Sequence, residues 1–208
     1  MTFDAEHPDR PTSAGVQERV LDTLEGADVH ATFFAQGRWV EAYPATAGRI
    51  APAGHLVGSH SFYHARMPLF SDDGFDEDVR EAERAIRDIL GVDPRPWFRC
   101  PFGVGFDDPR VLGRLEALGY RDVNWDIEPD DWDPDRTARQ VEDGVVDGVV
   151  SRGDGAVVLL HTWPSSTIAA LPGILTRLRD LGATFVRLDE LPDGGRATGR
   201  RANGPQTS

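Results

Sequence analysis

His55-Leu56-Val57-Gly58-Ser59-His60-Ser61-Phe62-Tyr63-His64 reads as a short apolar strand that ends in two imidazoles four residues apart. On a helical turn, side chains at i and i+4 lie on one face, so this spacing lets both rings reach a single metal ion. Paired histidines at a helix start also cap, pack or hydrogen-bond without a ligand, and the pair alone leaves both readings open. What decides between them lies outward along the chain, where short apolar runs alternate with amphipathic stretches and reactive residues recur at the ends of the runs.

Thr2 to Asp4 reads as a clipped first strand, and Thr12 or Ser13 as the cap of a helix carrying Val16, Val20, Leu21 and Leu24 that ends at Gly26. Val29 to Phe34 is the second strand, and a helix from Ala45 to Ala53 stops at Gly54 before the strand Leu56-Val57. Phe75 to Leu90 is a long acidic helix with Val79, Ala82, Ile86 and Leu90 on its inner face, closed by Gly91, its charges reading as a solvated face. Trp97-Phe98-Arg99 is a fourth strand, Asp108 to Leu118 a helix, and Asp122 to Ile127 a fifth strand. Asp133 or Asp135 starts a helix that reaches about Val150, and Ala156 to Leu160 is the most strand-like run. Ser165 or Ser166 caps a helix to Leu181, and Ala183 to Leu188 is a seventh strand.

Regular alternation of this kind implies a parallel sheet with right-handed crossovers. With seven strands and reactive residues at their carboxyl ends, the expected fold is α/β, a distorted seven-stranded (β/α) barrel with outer helices. One domain is expected over residues 1–191, with a disordered tail over 192–208 whose Gly, Arg, Asn and Pro carry no apolar period.

The formal charge of −13 and pI near 4.8 argue against nucleic acid and anionic membrane as partners, since both need a basic surface. Neutral or cationic partners suit the chain better. All 22 basic residues are arginine, which excludes a Schiff-base lysine. Cys100 is the single cysteine, so disulfides within the chain and thiolate metal clusters are excluded, and its apolar neighbours suggest a buried thiol. No run approaches the ~18 apolar residues of a membrane span, so no membrane insertion is expected. As the sequence stands it reads as cytoplasmic; a true start further upstream with an export signal would make it exported or wall-associated.

In barrel order the strand ends present Asp4 and Glu6, His60 and His64, Arg99, Asp131 and Trp132, then His161. This order resembles the polysaccharide deacetylases of carbohydrate esterase family 4, over Thr2 to about Leu191. The family's Thr-Phe-Asp-Asp-Gly-Pro appears as Thr2-Phe3-Asp4-Ala5-Glu6-His7-Pro8, and its His-Ser/Thr-x-x-x-His as His60 to His64. Its Arg-x-Pro-x-Gly is Arg99-Cys100-Pro101-Phe102-Gly103, its Asp-Trp pair Asp131-Trp132, and its Leu-x-His motif Leu159-Leu160-His161. Each motif is short; five in order on a matching strand and helix pattern are specific.

The resemblance implies deacetylation of N-acetylated carbohydrate, with a divalent metal held by one carboxylate and two histidines. Zinc is expected by ligand type, and Co2+, Ni2+ or Fe2+ are also accepted by such a set. Such an ion lowers the pKa of a water and polarises an amide carbonyl. Asp4 is then the general base, held in place by Arg99, and the N–H of Phe102 faces the developing oxyanion. His161 protonates the leaving amine, Asp131 orients its ring, and Trp132 and Leu159 wall the acetyl pocket. His161 also fits a core histidine, and Arg99 a surface ion pair; the strand-end place of His161, and that of Arg99 between Phe98 and a Cys-Pro turn, favour the chemical roles. His7, His30 and His55 look incidental, and Trp163 fits either packing or a sugar platform.

Ala5 departs from the family, because alanine cannot ligate where the motif has its metal-binding aspartate. Glu6, one residue on and one methylene longer, is expected as third ligand beside His60 and His64, with Asp4 as base and the reverse assignment open. Two other readings remain: hydrolysis of another linear or cyclic amide on the same fold, or a degenerate carbohydrate-binding domain that keeps the groove without turnover.

Overall fold

Six parallel strands form one sheet in the order β5-β4-β3-β2-β1-β6. They are β1 (Thr2–Ala5), β2 (Thr32–Ala35), β3 (Leu56–Ser59), β4 (Trp97–Phe98), β5 (Arg121–Asp122) and β6 (Leu159–His161). The structure, a computed structural model, describes residues 1–10 and 15–192. The expected caps Thr12 and Ser13, and the expected tail beyond Pro192, lie outside the described residues.

Strand parity sorts the side chains. Phe3 and Ala5, Phe33 and Ala35, Val57 and Leu160 face the helices and join one core with Val20, Leu24, Leu171 and Ile174, the Phe3 and Phe33 rings stacking at 5.2 Å. The other face carries Phe34, Trp97, Val123 and Val157, which cluster with Leu188. Each fully buried side chain of this size contributes roughly 1.5–3 kcal/mol. Gly58 is needed where β2, β3 and β4 crowd together: a Cβ there would stand 2.8 Å from the Phe34 ring and 2.9 Å from the Trp97 Cβ.

The helices are α1 (Val16–Gly26), α2 (Gly37–Ala42), α3 (Pro44–Ala47), α4 (Asp72–Leu90), α5 (Pro109–Ala117), α6 (Ala138–Arg152) and α7 (Ser165–Asp180). Several differ from the sequence reading. The helix expected over 45–53 is confined to the short α3, which Pro44 opens at its first turn, and residues 48–54 form turns; α2 lies ahead of it, ending before Tyr43. Ser71 caps α4 one turn earlier than Phe75, accepting from the Gly74 N–H at 3.2 Å. Thr137, in a capping box with Gln140, starts α6, so Asp133 and Asp135 stay in the preceding loop. Pro164, not a serine, precedes α7.

The seventh strand is also corrected. Ala183 to Arg187 has no strand pairing, and Leu188 lies in a 3-10 turn. β6 has β1 on one side, while on the other Ile127 forms an isolated parallel bridge with Val158, with Leu159 N–H donating to the Ile127 carbonyl at 2.9 Å. Both edges of β6 are therefore engaged, and the 183–188 segment instead packs through Leu188 N–H on Thr32 Oγ1 (3.1 Å) and Arg187 Nη1 on the Gly54 carbonyl (3.0 Å). The stretch from β5 to Ile127 thus crosses from the β4 side to the β6 side and curls the sheet towards a barrel. Among the described residues no helix is long and apolar enough to cross a membrane.

Candidate active site

The strand ends of β1, β3, β4 and β6 meet at one mouth. Ala5, the last residue of β1, pairs with Ala35 and packs in the core against the helices, so its side chain points away from that mouth. Two residues after Asp4, Glu6 returns to the same side. Both carboxylates approach His60 Nε2, Glu6 Oε2 at 3.3 Å and Asp4 Oδ2 at 3.4 Å.

His60 and His64 are brought together, though not by a helical turn. After β3 the chain forms an irregular loop in which Ser61 and His64 adopt positive φ of 65° and 58°. The ring nitrogens His60 Nε2 and His64 Nε2 lie 3.1 Å apart, and His64 Nε2 also meets Glu6 Oε2. His60 Nδ1 lies 2.9 Å from the Arg99 carbonyl, so it is the donor and Nε2 is left free as a ligand atom. Asp78 of α4 holds the loop, accepting from Phe62 N–H at 3.1 Å and Tyr63 N–H at 3.0 Å. The sequence reading left Asp78 on a solvated face; it is 1% exposed, and its spacing from Phe75 and Ala82 places it on the inner row. Burial pushes its carboxyl up.

The donor set suits a divalent ion. Glu6, His60 and His64 each offer one ligand atom, all within 4.8 Å of one another, two imidazole nitrogens and a carboxylate oxygen. Burial alone would raise the Glu6 carboxyl, but the imidazoles of His64, His60 and His7 hold it well below the usual range. His7, read from sequence as incidental, lies with Nε2 2.8 Å from Glu6 Oε1. Trp163 Nε1 donates to the same oxygen at 3.3 Å.

Arg99 is fully buried and donates from Nη1 to Asp4 Oδ1 at 2.8 Å and from Nε to the Val123 carbonyl at 3.0 Å. Its guanidinium lies 4.1 Å from the Phe34 ring centroid, which fixes its plane. On the opposite side of Glu6, His161 Nε2 stands 3.8 Å from Oε1, while its Nδ1 bonds Asp131 Oδ1 at 2.8 Å. Burial would lower the His161 pKa, but the Asp131 carboxylate, with Glu6 and Asp4 further off, pushes it up to about 10.

Phe102 occupies a tight turn at φ 58°, its ring edge-on to His64 at 4.5 Å. Leu159 is buried two residues before His161, and Trp132 is 39% exposed at the rim. Glu128, which the sequence reading passed over, receives Trp132 Nε1 at 3.1 Å and Trp125 Nε1 at 3.0 Å. A groove of about 280 Å³ adjoins the centre, lined by His7, Arg10, Arg38, Tyr63, His64 and Phe102 among others. His55 is structural, its Nδ1 accepting from Ala31 N–H, and Cys100 is a buried thiol pushed up by burial.

The polysaccharide deacetylase family model matches residues 1–123. A peptidoglycan-N-acetylglucosamine deacetylase of Listeria monocytogenes is 35% identical over 191 residues, 92% of this chain and 38% of that protein. The chain therefore spans well under half the length of that relative. A chitooligosaccharide deacetylase of Sinorhizobium fredii is 31% identical over 196 residues, 88% of this chain and 86% of that one. Among solved structures, a CE4 family pseudoenzyme of Bacillus anthracis aligns with TM-score 0.78 and 27% identity over 91% of this chain and 63% of that one. With the family's motifs in order and more than half its length matched, the chain belongs to the polysaccharide deacetylase family.

Proposed function

We propose that this chain is a metal-dependent hydrolase that removes acetyl groups from the N-acetylated sugars of glycans such as peptidoglycan or chitooligosaccharides. The observation that carries this reading is a convergence: a guanidinium-clamped Asp4 and a carboxylate-oriented His161 flank the Glu6, His60 and His64 cluster. The names of the peptidoglycan and chitooligosaccharide deacetylases it resembles support the substrate class. A wall polymer as substrate places the site of action at the cell envelope rather than in the cytoplasm.

A divalent ion held by Glu6, His60 and His64, zinc by ligand type, supplies Lewis-acid polarisation of the amide and acidification of water. Asp4, steered by the bond from Arg99, accepts the water proton as oxygen bonds to the acetyl carbon. The backbone N–H of Phe102 faces the oxygen that gains charge. His161, with Nδ1 committed to Asp131, presents Nε2 and gives its proton to the amine as the C–N bond breaks, leaving acetate and a free amino sugar. Trp132 and Leu159 enclose the acetyl methyl.

The test is acetate release by the zinc-loaded protein from chitooligosaccharides, N-acetylglucosamine and peptidoglycan fragments. Linear and cyclic small-molecule amides belong in the same assay, because Ala5 with Glu6 is the feature that departs from glycan-active motifs. Release from glycans, lost in His161→Ala, supports the proposal. Folded, zinc-bound protein that binds glycan but releases no acetate overturns it in favour of a degenerate binding domain.

A further inference from the structure

Glu6 raises a positioning problem that an aspartate at the end of β1 would not. It lies outside the strand and has an extra rotatable bond, so presenting one oxygen to His60 and His64 costs more side-chain entropy. The other oxygen shows how the side chain is held. Oε2 faces His60 Nε2 and His64 Nε2, whereas Oε1 faces His7 Nε2 at 2.8 Å and Trp163 Nε1 at 3.3 Å.

The geometry points to His7 and Trp163 as a clamp that grips Oε1 of Glu6 and so presents Oε2 to the ion. The inference rests on the proposed reading that Glu6, His60 and His64 hold the metal. A carboxylate only accepts and an indole N–H only donates, so the two close contacts on Oε1 are donations and His7 Nε2 carries a proton, while His161 Nε2 stands beyond hydrogen-bond reach at 3.8 Å. His7 stays outside the set whose ligand atoms lie within 4.8 Å of one another, which separates it from the ligands themselves. It is a positioning residue.

The local chain is shaped for that contact. His7 has φ 59°, the left-handed region that costs most residues strain and that histidine tolerates better than most. Its backbone N–H donates to Gln36 Oε1 at 2.9 Å, and Gln36 is itself buried just beyond β2. The reversal turns the imidazole back over Glu6. There it meets the His64 ring edge-on at 4.8 Å and the Trp163 ring at 5.9 Å. Arg10 covers the Trp163 indole at 4.1 Å, which limits how far it can swing. Glu6 thus replaces the missing acid at Ala5 together with two donors, one adjacent in sequence and one 157 residues away.

The experiment is zinc affinity by chelator competition on the full chain at one pH. The set is wild type, His7→Ala, His7→Gln, Trp163→Phe, Glu6→Gln and the His7→Ala/Glu6→Gln double variant, with circular dichroism to confirm folding and the cobalt-loaded absorption spectrum to report ligand number. Outer partners of metal ligands typically contribute ~10–100-fold in affinity. The expected result is weakening by about tenfold or more in His7→Ala and Trp163→Phe with an unchanged cobalt ligand number. His7→Gln should recover most of the affinity, because its amide N–H can stand where Nε2 stood. The double variant should bind no more weakly than Glu6→Gln alone, since the clamp acts only through Glu6. Wild-type affinity in His7→Ala and Trp163→Phe, with Glu6→Gln weakened, overturns the clamp and leaves the metal reading intact. Unchanged affinity in Glu6→Gln overturns the metal reading itself. A lost cobalt ligand in both His7 variants makes His7 a ligand and overturns the positioning role.

Discussion

Asp131 holds His161 with both of its oxygens: Oδ1 lies 2.8 Å from the ring Nδ1, and Oδ2 accepts the backbone N–H of the same residue at 2.8 Å. Thr167 Oγ1 donates to Oδ2 at 2.5 Å, so the carboxylate cannot rotate without breaking three bonds. Ring and backbone are thus fixed together, and Nε2 is the nitrogen that reaches the mouth.

The His161 pKa, pushed up to about 10 by Asp131 against the opposing effect of burial, sets a pH window. A group whose folded pKa is raised stabilises the fold fully below its ordinary value of 6.5, and that stabilisation is lost as pH rises through about 10. Asp131→Asn should lower the pKa, move the basic limb of turnover to lower pH, and reduce the rate by ~10²-fold or more. Imidazole NMR titration of the metal-free protein and pH–rate profiles check this. A basic limb that stays in place would belong to another group.

Replacing His60 or His64 with alanine should abolish stoichiometric zinc binding as well as turnover, since a carboxylate and one imidazole hold such an ion poorly. Metal analysis after dialysis decides the point, and full occupancy in either variant would reject the site.

Asp4→Asn should keep the zinc and lose most of the rate, because the amide retains an acceptor for Arg99 yet cannot take a proton from water. Glu6→Gln should instead weaken zinc binding. Parallel measurement of zinc affinity and acetate release separates the two, and the opposite pattern would exchange their roles.

Asp78→Ala should destabilise the protein by about 1–3 kcal/mol for each of the two backbone donors it leaves unmet, Phe62 N–H and Tyr63 N–H. Because those donors anchor the loop between His60 and His64, zinc affinity should fall as well. Urea unfolding and chelator competition read the two effects, and loss of stability with unchanged zinc affinity would show that Asp78 supports the fold alone.

Where the sequence reading failed, the deciding contact was distant. Ala183 to Leu188 has a strand-like apolar pattern, but Ile127 occupies the edge of β6 that it would need. The His60 and His64 spacing suits a helical turn, yet the rings meet across an irregular loop because positive φ at Ser61 and His64 bends the backbone and Asp78 holds it. Asp78 was hidden in a run of acids, and only its register with Phe75 and Ala82 betrayed its buried side. His7 looked incidental because its ring meets His64 and Trp163, which are distant in sequence, and turns back onto adjacent Glu6 only through its positive φ.

The alternation of strands and helices, the motif order, and the parity that turns Ala5 to the helices and returns Glu6 to the side of Asp4 are all legible in the residues read in order. These are local properties, set by a two-residue strand period and by short spacings. Which strand ends become neighbours depends on the folded chain as a whole: Asp4 meets Arg99 from 95 residues away and Glu6 meets Trp163 from 157. Parallel strands owe their adjacency to how the crossover helices pack on the sheet, and that packing depends on contacts no local window of sequence contains.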